Sequence, residues 1–279
     1  MLRLLWQELI FRRNSIIGWG LGLCFFPLVY VSIYPSFEAE LANMQAILDL
    51  EIYKAMGITF ATFEDWVAST IILFVPLVAA IYAVINATGT LAGEEADGRL
   101  EMLVVLPIPR WQIVTVKALA LAISLLLILL IVGFVSMGVF WAIESQITTV
   151  ISAWDILAAL LAAYPLTLAM GMLSLFLASF CPTRRLASMI GIAILLVSYF
   201  GSNLAGMAEP IEPFKPLFLF TYLDISGNIL VNGPEISDVL VLLAVAVVSF
   251  GLAVLFFQRR DITVGQWPWQ RARAAGAAR

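Results

Sequence analysis

Histidine is absent from the 279 residues of this chain, which excludes catalysis, metal binding or proton transfer by an imidazole side chain. The two cysteines, Cys24 and Cys181, lie far apart in apolar surroundings without CxxC spacing, so the sequence predicts neither a disulfide framework nor a metal site. Charged residues make up only 12% of the chain, against about 25% in soluble domains. A soluble globular protein of this size would need more charged residues to cover its water-exposed surface, so this class is excluded.

Apolar residues are abundant instead, at 62% of the total and with a mean hydropathy of +1.02. A membrane-crossing helix needs about 20 such residues to span the hydrocarbon core. Six segments qualify, at residues 15–34, 67–91, 118–140, 156–180, 186–208 and 239–257. The sequence therefore predicts an all-α integral membrane protein with six transmembrane helices, in which residues 1–279 form a single transmembrane domain.

Lysine and arginine are distributed unevenly between the two sides of these spans. With a cytoplasmic N-terminus, all of the 15 basic residues except Lys54 and Lys215 lie inside, and the positive-inside rule then predicts that both termini are cytoplasmic. Apolar side chains at helical spacing in residues 2–14 predict an amphipathic helix in the cytoplasmic interface, with a simple extension of the first span as the alternative. The basic side suits anionic lipid headgroups, and no basic stretch with interleaved aromatics indicates nucleic-acid binding.

Ionisable side chains are missing from all six predicted spans. Because such groups usually mark ion or proton pathways in membranes, their absence argues against an ion-coupled carrier and against an intramembrane protease. The polar residues within the spans are neutral, and they fit either hydrogen bonding between helices or a weakly polar transport pathway. As pathway residues we consider Thr70, Asn86, Ser198, Ser202 and Asn203. Gly18 and Gly22 form a GxxxG pattern, which permits another helix to approach closely.

The loop between the second and third spans is the most informative segment, with the sequence AGEEADGRLEMLVVLPIPRWQ at residues 92–112. As a helix over residues 94–106, it would carry Glu94, Asp97 and Glu101 on one face. An acidic and apolar helix on a basic side is either a solvated loop or a docking element for a cytoplasmic protein. The chain contains no GxxxxGK[ST] motif, so ATP-driven transport would need an ATP site on another polypeptide.

The same loop resembles the signature of ABC-2 type transporter permeases. In that family an E-E-x-x-G-x-L-E run precedes an apolar stretch, a P-[IL]-x-R sequence and a lysine that enters the third span. The matching residues are Glu94, Glu95, Gly98, Leu100, Glu101, Pro107, Ile108, Arg110 and Lys117. Two residues depart from the pattern. Arg99 stands where Thr or Ser is usual, and Pro109 stands where Ser is usual. The resemblance extends over the whole chain, up to the run FQRRDI at residues 257–262.

This resemblance implies the permease subunit of an ATP-driven exporter in a bacterial or archaeal cytoplasmic membrane. The chain itself would have no catalytic residue and no cofactor, because a separate cytoplasmic ATPase subunit would bind ATP and magnesium. The loop would be the coupling helix seated on that ATPase, through Glu94, Glu95, Asp97, Gly98, Leu100, Glu101, Leu103, Pro107 and Arg110.

The resemblance also implies a second permease copy or a related chain. The first and fifth spans would form the contact between the two chains, near Gly18 and Gly22, and the second and fifth spans would line the pathway. A membrane anchor that recruits a cytoplasmic partner without transport is the alternative function. Drugs, lipids, peptides and polysaccharide precursors all stay open as substrates.

Overall fold

The computed structural model describes residues 1–38, 40, 62–93, 109–205, 210–225 and 228–259. Within these ranges the secondary structure is helical and no β-strand occurs. Six helices are long and apolar enough to cross a membrane, namely Leu2–Glu38, Phe63–Leu91, Arg110–Gln146, Ala153–Phe180, Arg184–Ala205 and Ile236–Arg259. We call them the first to the sixth span. They confirm the prediction of an all-α integral membrane protein with six transmembrane helices.

Several helices extend beyond the apolar segments that predicted them, because helical hydrogen bonding does not require apolar side chains. The third span, for example, begins at Arg110 rather than at residue 118. Residues 2–14 are helical, but they do not form a separate interfacial helix as predicted: one α-helix runs unbroken through Leu2–Leu23. Neither proline nor glycine occurs before Gly18, so nothing interrupts the backbone hydrogen bonds there. The alternative, an extension of the first span, is therefore what the chain adopts.

Short π-helical turns interrupt the first two spans, at Pro27–Val31, Ala68–Ile72 and Gly89–Gly93. A proline cannot donate a hydrogen bond to the carbonyl four residues earlier, which explains the turn that begins at Pro27 and the one that ends four residues before Pro76. The carbonyl oxygen of Tyr30 accepts a hydrogen bond of 2.9 Å from the indole Nε1 of Trp66. This bond joins the first span to the second.

The second and fourth spans form the centre of the bundle, where most of their residues are buried. The fourth span consists of Ala153–Ala162 and Tyr164–Phe180, and its longer segment packs against the second, third, fifth and sixth spans. The first span packs mainly against the third. In contrast, the first, fifth and sixth spans keep most of their residues at least partly exposed, so their outer faces are free to contact lipid or another chain.

Charge divides the bundle into two ends, which we call the basic end and the acidic end. The basic end holds the described residues Arg3, Glu8, Arg12, Arg13, Arg110, Lys117, Arg184, Arg185 and Arg259. At the acidic end Lys215 is the one described basic residue, beside Glu38, Glu40, Glu64, Asp65, Glu144, Asp155, Glu212, Asp224, Glu235 and Asp238. Three short helical segments connect the fifth and sixth spans there, Glu212–Leu217, Leu219–Tyr222 and Asn228–Asn232.

Candidate functional site

The residues predicted to contact an ATPase lie mostly outside the described ranges. This applies to Glu94, Glu95, Asp97, Gly98, Leu100, Glu101, Leu103 and Pro107. Arg110 is described, and it is the first residue of the α-helix Arg110–Ile143, directly after Pro109, whose backbone is extended (φ −64°, ψ 138°). Residues 94–108 lie outside the described ranges. The third span begins two residues after residue 108, with Arg110 at its basic end.

The second and fifth spans touch at the basic end, next to the start of the predicted coupling segment. Thr88 Oγ1 and Ser188 Oγ share a hydrogen bond of 2.8 Å. A Cβ atom at Gly191 would lie only 2.8 Å from Cγ1 of Val84, so the close approach of the two helices depends on glycine. The π-helical turn Gly89–Gly93 directly follows Thr88, so the described part of the second span ends one helical turn beyond this contact.

A buried ionic cluster joins the first and third spans at the basic end. Lys117 Nζ donates a hydrogen bond of 2.9 Å to Oε1 of Glu8, and Nε of Arg12 lies 3.8 Å from Oε2 of the same carboxylate. The side chains of Lys117 and Arg12 are only 2% and 7% exposed. Both terminal guanidinium nitrogens of Arg12 are buried without a hydrogen-bond partner. Two cations thus share one carboxylate.

Sequence analysis missed this cluster, because Glu8 and Lys117 are 109 positions apart in the chain. It also drew the third span from residue 118, one position beyond the lysine. The available signal was Glu8 itself, a carboxylate in an otherwise basic N-terminal segment. A lone acid among basic residues on a helix that leads into a membrane needs a partner, and a buried lysine provides it.

A cavity of about 570 Å³ lies at the acidic end, between the fifth and sixth spans and the segments that connect them. Ser202 and Asn203, two of the predicted pathway residues, line this cavity. Both are anchored to the carbonyl oxygen of Tyr199, which accepts hydrogen bonds of 2.9 Å from Ser202 Oγ and 2.8 Å from Asn203 Nδ2. The structure therefore brings these two residues together at one concave surface.

The remaining polar lining of the cavity comes from residues that the sequence did not single out. Asp224, Glu235 and Asp238 contribute three carboxylates, and Lys215 contributes one ammonium group. Asn228 and Asn232 are linked by a hydrogen bond between their side chains. Lys215 lies just before the apolar run at residues 217–223 of the connecting segment, and the other residues follow that run. Only the folding of the segment against the spans reveals that they face a common space.

The other predicted pathway residues do not line this cavity. Thr70 Oγ1 and Asn86 Nδ2 donate to carbonyl oxygens four residues earlier in their own helix, at 2.6 Å and 3.0 Å. Ser198 is buried, and its Oγ accepts a hydrogen bond of 3.2 Å from the backbone N–H of Phe220. The alternative prediction, hydrogen bonding between helices, does not describe Thr70 and Asn86, whose side chains bond their own helix, whereas Ser198 bonds the connecting segment. Their role as pathway residues stays a prediction.

Gly18 and Gly22 lie on the open face of the first span. They line a shallow groove of about 450 Å³, together with Trp19, Phe26 and Val78. A Cβ atom at either glycine would meet no other atom within 4 Å. The two glycines are therefore not used for packing within this chain, and the groove is available to a helix of another chain.

Comparison with known protein families then decides the class of the molecule. The family model described as "ABC-2 family transporter protein" matches residues 2–262. The chain belongs to the ABC-2 transporter family. No curated protein matches the chain at significant similarity.

An ABC-2 chain of this type is the transmembrane part of an ABC transporter, and it lacks the ATP site itself. Its general partner is an ABC ATPase subunit. With six helices able to cross a membrane, the chain is a multi-pass membrane subunit of a transporter. The predicted resemblance to ABC-2 permeases is thereby confirmed.

Proposed function

We propose that this ABC-2 chain is the permease subunit of an exporter in the cytoplasmic membrane of a bacterium or archaeon. A separate cytoplasmic ATPase, which binds ATP and magnesium, would dock on residues 94–107 and drive transport. The observation that carries this proposal is the family match over residues 2–262. The ATPase coupling residues, the orientation and the direction of transport are further parts of the same proposal.

The separation of charge between the two ends supports a cytoplasmic basic end. Basic residues concentrate on the cytoplasmic side of membrane proteins, and Lys215 is the one described exception here. The exposed side chains of Trp6 and Phe11 near the start of the first span suit the headgroup region of the same leaflet. Both termini, and residues 94–107, would then face the compartment that contains the ATPase.

The second and fifth spans offer a route from the ATPase to the transport pathway. Movement of residues 94–107 would reach the fifth span at the bond between Thr88 and Ser188. The same span is a continuous α-helix over Arg184–Ala205, and near its other end Ser202 and Asn203 line the cavity at the acidic end. A tilt of this helix would therefore change the shape of the cavity, as alternating access requires.

A second permease chain, identical or related, would pack against the first span. The groove at Gly18 and Gly22 supports this part of the proposal, since neither glycine is needed for packing within the chain. Small residues at an interface between transmembrane helices allow their backbones to approach closely. The exposed face of the fifth span would contribute the other half of the contact.

Reversal of charge on the coupling segment tests the proposed function. The double variant Glu94→Lys with Glu101→Lys should reduce co-purification of a co-expressed ATPase at least about tenfold, or uncouple its ATP hydrolysis from transport, because charged groups at an interface select the partner. Co-purification and substrate-stimulated ATP hydrolysis in proteoliposomes are the measurements.

The matched control is Glu144→Lys with Glu212→Lys, which makes the same charge change at two exposed positions of the acidic end. It should leave association and hydrolysis intact. Unchanged association in the coupling variant, or an equal loss in the control, would contradict the docking role. ATPase binding by the unmodified chain without any ATP-dependent transport would instead support the membrane anchor.

A further inference from the structure

The cavity at the acidic end has the size of a binding site for a small molecule. Its volume of about 570 Å³ falls within the roughly 300–1,000 Å³ of typical ligand pockets. It lies where the fifth span, the connecting segment and the start of the sixth span meet. Three separate parts of the chain thus contribute to its wall. One lining residue, Phe220, makes an edge-on contact with Tyr199, with 5.4 Å between the centroids of the two rings.

The charge of this cavity favours a cation. Among the described residues, Asp224, Glu235 and Asp238 line it with three carboxylates, whereas Lys215 contributes the one ammonium group. A concave surface with low-dielectric walls focuses the field of such groups and raises the local concentration of ions of opposite charge. An anionic ligand would have to overcome this field.

The surroundings of the carboxylates point to an organic cation rather than a metal ion. Within the described ranges, no three acidic or cysteine side chains converge closely enough to hold a metal. The carboxylates share the cavity lining with the apolar side chains of Phe220, Leu223 and Ile225. Negative charge next to an apolar wall fits a ligand that carries a delocalised or shielded positive charge on an apolar body.

Three asparagines, Asn203, Asn228 and Asn232, also line the cavity. Their side chains are held by hydrogen bonds to Tyr199, to Asp224 and between Asn228 and Asn232. The polar part of the wall is therefore fixed in place before a ligand binds.

We propose that this cavity binds an organic cation with an apolar body, and that cargo of this chemical class occupies it during transport. The second clause rests on the proposed permease function. The first clause concerns binding by the chain itself, and it can be tested without an ATPase and without nucleotide.

Binding of tetraphenylphosphonium to the full-length chain in lipid nanodiscs tests the proposal. The probe is a cation with an apolar body, and tetraphenylborate is an anion of the same shape. Radiolabelled tetraphenylphosphonium should bind saturably above the background of empty nanodiscs, and radiolabelled tetraphenylborate, measured in a separate experiment, should not. Asp238→Asn and Glu235→Gln should each weaken binding by about tenfold, because each removes one negative charge from a partly desolvated site.

Two further variants distinguish a change in the cavity from a general loss of charge or of folding. Glu144→Gln removes a carboxylate that is exposed at the same end but does not line the cavity, so binding should not change. Lys215→Gln removes the opposing positive charge and should tighten binding, an outcome that a misfolded protein cannot produce.

The proposal is overturned if tetraphenylborate alone binds equally well, if the Asp238 and Glu235 variants bind like the unmodified chain, or if Glu144→Gln weakens binding to the same extent. A chain that fails to bind the cation but still supports ATPase association would refute this inference alone. A chain that binds the cation but never associates with an ATPase would refute the proposed function alone.

Discussion

At the basic end, Glu8, Arg12 and Lys117 are packed between two spans, whereas Asp224, Glu235 and Asp238 at the acidic end line an open cavity. The buried ions lose hydration, so each depends on its neighbours for compensation. The three carboxylates at the cavity are at least partly exposed and keep contact with water. The comparison teaches that charge is enclosed by helix packing in the first region and borders open space in the second.

The largest effect should follow from breaking the buried cluster. Glu8→Gln removes the carboxylate that two buried cations share, and we expect a loss of about 3 kcal/mol in the free energy of unfolding, near the lower end of the cost of breaking a buried ion pair. The measurement is an SDS titration in mixed micelles. The matched change at the acidic end, Glu144→Gln, should alter stability by less than about 0.5 kcal/mol.

Arg12→Met sharpens the same comparison. Because both terminal nitrogens of Arg12 are buried without a partner, an apolar side chain of similar length should change the free energy of unfolding by less than about 1 kcal/mol, or raise it. If Arg12→Met lowers the free energy of unfolding as much as Glu8→Gln does, Arg12 contributes strongly to the cluster. The loss in Glu8→Gln would then not be explained by the unpaired charge of Lys117 alone.

An intermediate effect should follow from filling a close contact at the acidic end. A Cβ atom at Gly201 would lie within 2.7 Å of three ring carbons of Phe218. Gly201→Ala must therefore displace this ring and the connecting segment, and we expect a loss of about 2 kcal/mol in the same titration.

Gly18→Ala is the control, since a Cβ atom there meets nothing within 4 Å. It should leave stability unchanged or raise it by up to about 1 kcal/mol through better helix propensity. Equal losses in the two variants would mean that the close contact at Gly201 is not what limits stability.

The smallest effect should come from the hydrogen bond between the second and fifth spans. Thr88→Val removes the hydroxyl that bonds Ser188, and interhelical hydrogen bonds in membranes contribute about 0.6 kcal/mol on average. In a double-mutant cycle, Ser188→Ala should add little to the loss once Thr88 is replaced. Fully additive losses would contradict a direct interaction between the two side chains.

The six spans could be predicted because a helix in lipid must satisfy its own backbone and be apolar over a fixed length. The start of the first span could not, because the apolar run begins at residue 15 while the helix begins at Leu2. The sequence at residues 2–14 allows both an interfacial helix and an extension. Only packing against the third span, through Glu8 and Lys117, distinguishes them.

The candidate site divides in the same way. Ser202 and Asn203 were identified as polar residues in an apolar helix, and they line the cavity. Thr70 and Asn86 fit the same description, but they do not line this cavity. All four side chains bond a carbonyl oxygen of their own helix, as neutral polar side chains in helices often do. Composition therefore cannot separate the two cases, because the difference lies in whether a cavity is present beside the helix. The carboxylates of the cavity depend on how a long connecting segment folds back, which no local pattern encodes.

The first span is a helix of 37 residues, about 55 Å long at 1.5 Å per residue, whereas the hydrocarbon layer is only about 30 Å thick. Its stretch from Leu2 to Leu23 is one unbroken α-helix, so this part moves as a rigid rod. A tilt of this helix by a few degrees would displace Met1 farther than it displaces residues near Leu23. A fluorophore attached at Met1 would therefore be a sensitive reporter of any tilt of the first span.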